Sequence, residues 1–136
     1  MDFVPTFRSP SRNRALPILA LLAAAVLLTA ACGGGGPDPT QVAEGKALFL
    51  KTCASCHGPD ARGMPKLGKS LHDNQFVQAR SVPELVDFIK IGRRPYDPLN
   101  TTGVDMPPRG GNPALTDEDL AKIATFVQTL QDGSGG

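Results

Sequence analysis

Three stretches of the chain place apolar residues at helical spacing, and no stretch sustains the apolar/polar alternation of a half-buried strand. In the first, "QVAEGKALFLKT", Val42, Ala43, Ala47, Leu48, Phe49 and Leu50 form a broad stripe. This helix is expected to begin at Thr40, a competent N-cap after Pro39, and to run into Cys53. Gly45 costs it about 1 kcal/mol relative to alanine, a cost that close approach of a neighbouring helix would justify. In the second, "SVPELVDFIKIG", Ser81 and Glu84 make a capping box, Pro83 sits in the tolerated first turn and Gly92 closes the helix. Leu85, Val86, Phe88 and Ile89 are its predicted buried face. The third starts at Thr116, with Asp119 as its reciprocal cap, and places Leu120, Ile123, Ala124, Val127 and Leu130 on one side.

Loops join these helices. "GPDARGMPKLG" is turn chemistry, and "DNQFVQA" predicts a short helical turn. Residues 93–113 hold five prolines and three glycines in 21 positions without any period, a length that in a compact domain points to function or disorder. The reading is a small all-α domain over residues 41–132, with 133–136 as a frayed tail.

Upstream lies a different kind of sequence. Arg8, Arg12 and Arg14 precede "ALPILALLAAAVLLTAA", 17 uncharged residues from Ala15 to Ala31, which reads as an export segment over residues 1–31. Its length is at the short edge of a membrane span, so a cleaved leader is favoured over an uncleaved anchor. Its end, "LLTAAC", resembles the lipobox of bacterial lipoproteins, which implies lipidation of Cys32. "GGGGPDPT" then reads as a tether over residues 32–40. The expectation is an exported domain held at the periplasmic or extracytoplasmic face of a membrane.

Composition narrows the chemistry. The chain has 136 residues, no Trp and one Tyr, and two of its six Phe, Phe3 and Phe7, lie in the first ten residues of the export segment. Phe49, Phe76, Phe88, Phe126 and Tyr96 must therefore build the interior, and a bound apolar group would enlarge a small core. A formal net charge of +1, with no basic run or stacking motif, speaks against nucleic acid.

The chemistry is concentrated in "CASCH", residues 53–57. A thioredoxin-like site needs a strand-to-helix junction that the pattern lacks. A structural zinc needs four ligands, and His72 would have to be the fourth without any recognised spacing. A Cys53–Cys56 disulfide would leave His57 unexplained. Attachment of a c-type haem uses all three residues: the thiols of Cys53 and Cys56 add to the vinyl groups and His57 meets the iron.

With "CASCH", "GMPKLG" and "DMPPRGGNPALTDEDL" ahead of an amphipathic last helix bearing Phe126, the chain from about Val42 to Gln131 resembles a small bacterial mono-haem cytochrome c of class I type. The resemblance implies one covalent haem c and first and last helices that cross, with Gly45 and Phe49 meeting Phe126. It also implies Met106 as the distal iron ligand and the Pro65 carbonyl as acceptor of the His57 Nδ1 proton. Met64, His72 and an open site stay as alternatives to Met106. Arg93, Arg94 and Tyr96 are candidate contacts of the haem propionates.

His/Met ligation leaves the iron no vacant site and favours one-electron transfer over catalysis, so no catalytic residue and no small-molecule substrate are expected. Residues 61–94 carry seven basic and three acidic side chains, and residues 95–136 two and six. Such a dipole can steer docking to a redox protein, with Arg62, Lys66, Lys69, Arg93 and Arg94 as the candidate rim. The expected function is a membrane-tethered electron carrier of a respiratory-type chain. A haem sensor or small haem enzyme with a displaceable distal ligand is one alternative, and a cytochrome subunit fixed in a larger oxidoreductase is another.

Overall fold

The computed structural model describes residues 36–131; the expected leader, the lipidation site Cys32, most of the tether and the tail beyond residue 131 lie outside the described residues. Five α-helices and one 3-10 turn make up the described chain: α1 Pro39–Thr52, α2 Ala54–His57, α3 Gln75–Gln78, α4 Val82–Ile91, the 3-10 turn Pro108–Gly111 and α5 Asp117–Gln128. Among the described residues there is no strand, only two isolated bridges, Met64 with Gly68 and Arg93 with Met106. No helix among them is long and apolar enough to cross a membrane.

The start of α1 differs from the expectation. Asp38, not Thr40, is the N-cap: its carboxylate accepts the Thr40 amide at 2.8 Å, and Pro39 occupies the first helical turn, where its missing N–H costs nothing. Pro39 and Thr40, assigned to the tether from sequence, are thus the first turn of the domain. The broad apolar stripe also narrows. Phe49 is buried and Val42 and Leu48 pack beside it, while Ala43, Ala47 and Leu50 face solvent. Gly45 explains which side wins: it lies under α5, where a Cβ would overlap the carbonyl of Lys122.

The other helix starts behave as their sequences predict. The Glu84 carboxylate accepts the Ser81 amide at 2.8 Å and its hydroxyl at 2.6 Å, and these bonds hold the Glu84 carboxyl below its ordinary range. At α5, Asp119 accepts the Thr116 amide at 2.9 Å and Thr116 Oγ1 accepts the Asp119 amide at 3.1 Å. The short helix α3 is capped by Asn74, whose Oδ1 accepts the amides of Phe76 and Val77. Gly92 ends α4 with a φ of 73°, a left-handed value that favours glycine.

Helix α5 organises the packing. It crosses α1, with the Phe49 and Phe126 rings 5.4 Å apart and tilted by 59°, and Phe49, Leu120 and Ile123 are fully enclosed. Lys122 on α5 reaches Glu44 of α1 at 2.9 Å and Glu118 at 3.0 Å, which raises the Lys122 pKa. Asp117 pairs with both Lys90 of α4 at 2.8 Å and Arg109 of the 3-10 turn at 2.7 Å. These bridges are solvent-exposed, so they set register more than they add stability. At the far end Gln131, though polar, is buried: its Oε1 accepts the Asn74 amide at 2.8 Å and its Nε2 donates to the Leu71 carbonyl at 2.7 Å. A single side chain thereby ties the loop before α3 to the end of the last helix.

Replacing Gly45 by alanine is expected to force α1 and α5 apart and lower the stability of the protein by about 1–3 kcal/mol. Guanidinium unfolding measures this; an unchanged midpoint would show that the two backbones do not depend on their contact at Gly45.

Candidate functional site

The site grows out of the end of α1. Cys53 caps that helix, its amide donating to the Phe49 carbonyl at 2.8 Å, and the next turn continues from it: the His57 amide donates to the Cys53 carbonyl at 3.0 Å. Residues three and four apart in helical backbone lie on one face, so Cys53, Cys56 and His57 project together. Gly58, with a φ of 77°, then turns the chain away.

They project into a cavity of about 370 Å³. Phe49 and Ile123 line it from the crossing of α1 and α5, Leu85, Phe88 and Ile89 from α4, and Phe76 and Val77 from α3. Residues 99–102 and 104–107 of the long loop also line it, Met106 among them. Four of the residues singled out from sequence, Cys53, Cys56, His57 and Met106, therefore share one apolar chamber although 49 residues separate the last two.

Inside it, the cysteines are unbonded to each other. Burial, with the neighbouring Cys56 adding to it, pushes the Cys53 thiol up to about 11. Such a site disfavours a thiolate and suits an uncharged sulfur such as a thioether.

The His57 ring is oriented by the main chain. Its Nδ1–H donates to the carbonyl of Lys69 at 2.8 Å, which leaves Nε2 as the ring's lone-pair nitrogen. The expected acceptor, Pro65, is displaced for a geometric reason. The bridge between Met64 and Gly68, with N–H to carbonyl distances of 2.9 and 3.2 Å, makes residues 64–68 a tight turn that swings Pro65 into solvent. Gly68 then lies flat against the Cys56 carbonyl, where a Cβ would overlap it, and the following carbonyl reaches His57. The same turn leaves Met64 exposed and outside the cavity lining. His72, an alternative to Met106, is half-buried and not among the cavity's lining residues; its Nε2 meets the Asp60 carbonyl at 2.9 Å.

Of the three expected propionate contacts, only Arg93 lines the cavity. Its guanidinium lies 4.6 Å from the centre of the Phe76 ring and 4.9 Å from that of Phe88, two rings that meet edge to face at 4.7 Å. Its Nε is buried and has no hydrogen-bond partner; the nearest carboxylate oxygen, on Asp97, is 3.7 Å away. An orphaned buried donor at the wall of an apolar chamber fits a ligand with anionic arms. Arg94 and Tyr96 are turned outward by the bend in which the Asp97 amide donates to the Arg94 carbonyl, and Tyr96 is 85% exposed. Arg94 sits 3.8 Å from Asp105 instead.

Two features of the site escaped the sequence reading. The Lys69 carbonyl belongs to the backbone and has no residue-type signal. Asn100 lines the cavity and is the most heavily bonded side chain of the long loop, and "NTTG" hinted only at a turn.

The cytochrome c family model matches residues 42–131. The chain is 30% identical over 101 residues to the cbb3-type cytochrome c oxidase subunit CcoP of Rhodobacter capsulatus, covering 74% of this chain and 33% of that one. To CcoP of Rubrivivax gelatinosus it is 34% identical over 93 residues, 68% of this chain and 27% of the other. It is also 30% identical over 88 residues to cytochrome c-555 of Prosthecochloris aestuarii, 64% of this chain and 85% of that one. It thus spans about a third of the length of the CcoP subunits. No solved structure matches.

Gly68→Ala is expected to push the Lys69 carbonyl off the His57 ring, at a cost of about 1–3 kcal/mol in stability and with faster solvent exchange of the Nδ1 proton. Proton NMR of the haem-loaded variant reads that exchange; a rate equal to that of the unaltered protein would show that Gly68 does not set this bond.

Proposed function

The chain belongs to the cytochrome c family, and on that premise we propose that it is a one-electron carrier, tethered at the extracytoplasmic face of a membrane and serving a respiratory-type chain. The family's haem c, held covalently, supplies the one-electron iron couple when bound. The observation that carries the reading is the shared chamber: Cys53, Cys56, His57 and Met106 all line it.

Each residue then has one task. The Cys53 and Cys56 sulfurs would form the thioethers, and burial at Cys53 favours such an uncharged sulfur there. His57 offers Nε2 while Nδ1–H stays on the Lys69 carbonyl, which fixes the ring's tautomer and plane. Met106 offers its thioether sulfur; its backbone is pinned by the bridge to Arg93, with the Arg93 amide on the Met106 carbonyl at 2.8 Å and the Met106 amide on the Arg93 carbonyl at 2.9 Å. Arg93 supplies its orphaned Nε to a propionate. Phe49, Leu85, Phe88 and Ile123 keep water from the chamber, and a dry, stiff shell limits reorganisation between redox states. A ligand set closed on both sides supports electron transfer over binding of small gases.

The docking rim is smaller than the sequence suggested. Arg93 and Arg94 face Asp97 and Asp105, so Arg62, Lys66 and Lys69, all exposed, remain to meet an acidic redox partner. The names of the CcoP relatives favour a second reading, in which this domain passes electrons as a part of an oxidase complex. Extraction in mild detergent separates the two: a free haem protein supports the carrier, and co-purification with an oxidase supports the subunit.

In the ferric haem-loaded protein, the weak long-wavelength absorption of methionine sulfur on iron is expected, and Met106→Ala is expected to abolish it and to admit carbon monoxide to the ferrous form. An unaltered protein that lacks the band, or that binds carbon monoxide stoichiometrically, would remove Met106 as a ligand and bring the sensor reading forward. A cation beside the haem favours the reduced state, so Arg93→Gln is expected to lower the midpoint potential by roughly tens of millivolts, with Arg94→Gln close to unchanged. Equal potentials in all three proteins, read by redox titration, would take Arg93 off the propionates.

A further inference from the structure

Residues 94–105 leave and return at one point, the two-bond bridge between Arg93 and Met106, and within that span there is no helix or strand to hold a shape. A loop of this kind places a ligand reproducibly only if something inside it is rigid. The Asn100 side chain is the one residue whose bonds reach both of its arms. Its Nδ2 donates to the Arg94 carbonyl at 3.0 Å on the outgoing arm and to the Val104 carbonyl at 2.7 Å on the returning arm. Its Oδ1 accepts the Thr102 amide at 3.1 Å, the Thr102 hydroxyl at 3.1 Å and the Gly103 amide at 2.9 Å. Gly103 takes the left-handed φ of 71° that brings its amide round to Oδ1. The Asn100 amide itself donates to the Asp97 carbonyl at 2.8 Å.

We propose that Asn100 is the positioning residue of Met106: its carboxamide clasps the two arms of the loop one step outside the Arg93–Met106 bridge and holds the methionine at the chamber wall. The role needs a side chain that donates twice and accepts at the same time, at the length of asparagine. Aspartate has the same shape and no donors, so it faces the Arg94 and Val104 carbonyls with lone pairs. Gly92 supports the clasp from the helix side, since a Cβ there would overlap the Met106 carbonyl. Met64 has no such frame: its turn is exposed and closed by backbone bonds alone.

The inference rests on the reading of Met106 as distal ligand, and the test keeps the two apart. Ferric spectra and carbon monoxide binding are compared for the full haem-loaded protein, Asn100→Asp, and Asn112→Asp as control. Asn112 uses only its Oδ1, accepting the Ala114 amide at 3.1 Å, a bond that aspartate keeps. Asn100→Asp is expected to retain the covalent haem and its helical circular dichroism, to lose at least half of the methionine-to-iron band and to bind carbon monoxide at least tenfold faster when reduced. The Asn112 variant is expected to match the unaltered protein. If Asn100→Asp does not fold, Thr102→Val, which removes one hydroxyl donor to Oδ1, is expected to show the same spectral change at smaller amplitude. A full band and no added carbon monoxide binding in the Asn100 variant, or in Thr102→Val where that variant stands in, would overturn the positioning role alone. Absence of the band in the unaltered protein would overturn the ligand assignment, and this inference with it.

Discussion

The place where α1 and α5 touch backbone to backbone at Gly45 governs the rest of this molecule. Because no side chain separates the helices there, Phe49 one turn further along reaches the Phe126 ring, and Cys53 one turn beyond that opens into the chamber that Ile123 and Ala124 also line. The attachment segment has no fold of its own. Its four-residue helix is an extension of α1, and its direction is inherited from the crossing. Lys122, bonded to Glu44 and Glu118, straddles the contact and marks its register.

The two walls of the chamber are held by different physics. On the side of Cys53, Cys56 and His57, helix packing and buried aromatic surface do the positioning, so errors there are resisted by the whole core. On the side of Met106, positioning depends on a few hydrogen bonds within a loop that buries little, anchored where α4 ends at Gly92. Local openings of a protein begin where apolar contact is sparse, so the methionine side is the one that yields first. A carrier that must keep its ligands through both redox states needs that weaker wall stiffened from within, by turn geometry and side-chain caps.

The helices were legible in the sequence because their signals are local: the capping boxes at Ser81 and Thr116, the apolar spacing from Leu120 to Val127, and glycine at position 92 all act within a few residues. The composition of Cys53, Cys56 and His57 was legible for the same reason. What failed was long-range or carried by the backbone. The inner face of α1 depended on which helix it would meet, and so Ala43, Ala47 and Leu50 were grouped with Phe49. The partner of His57 depended on how tightly residues 64–68 would turn, and the family resemblance pointed to Pro65 in place of Lys69. Arg93, Arg94 and Tyr96 are near neighbours in sequence and read alike, yet the bend at Asp97 sends only the first of them inward. The full family match over residues 42–131 agrees with the reading of those local signals.

One bond has a consequence for how this surface can change over generations. The imidazole of His57 leans on the carbonyl of residue 69, while the side chain of that residue points to solvent. Any amino acid carries the same carbonyl, so the identity of residue 69 is uncoupled from the orientation of the His57 ring. A different charge at that position would alter the proposed docking surface and leave the bond to the imidazole as it is. The surface charge and the orientation of the imidazole thus meet at a single position and vary independently.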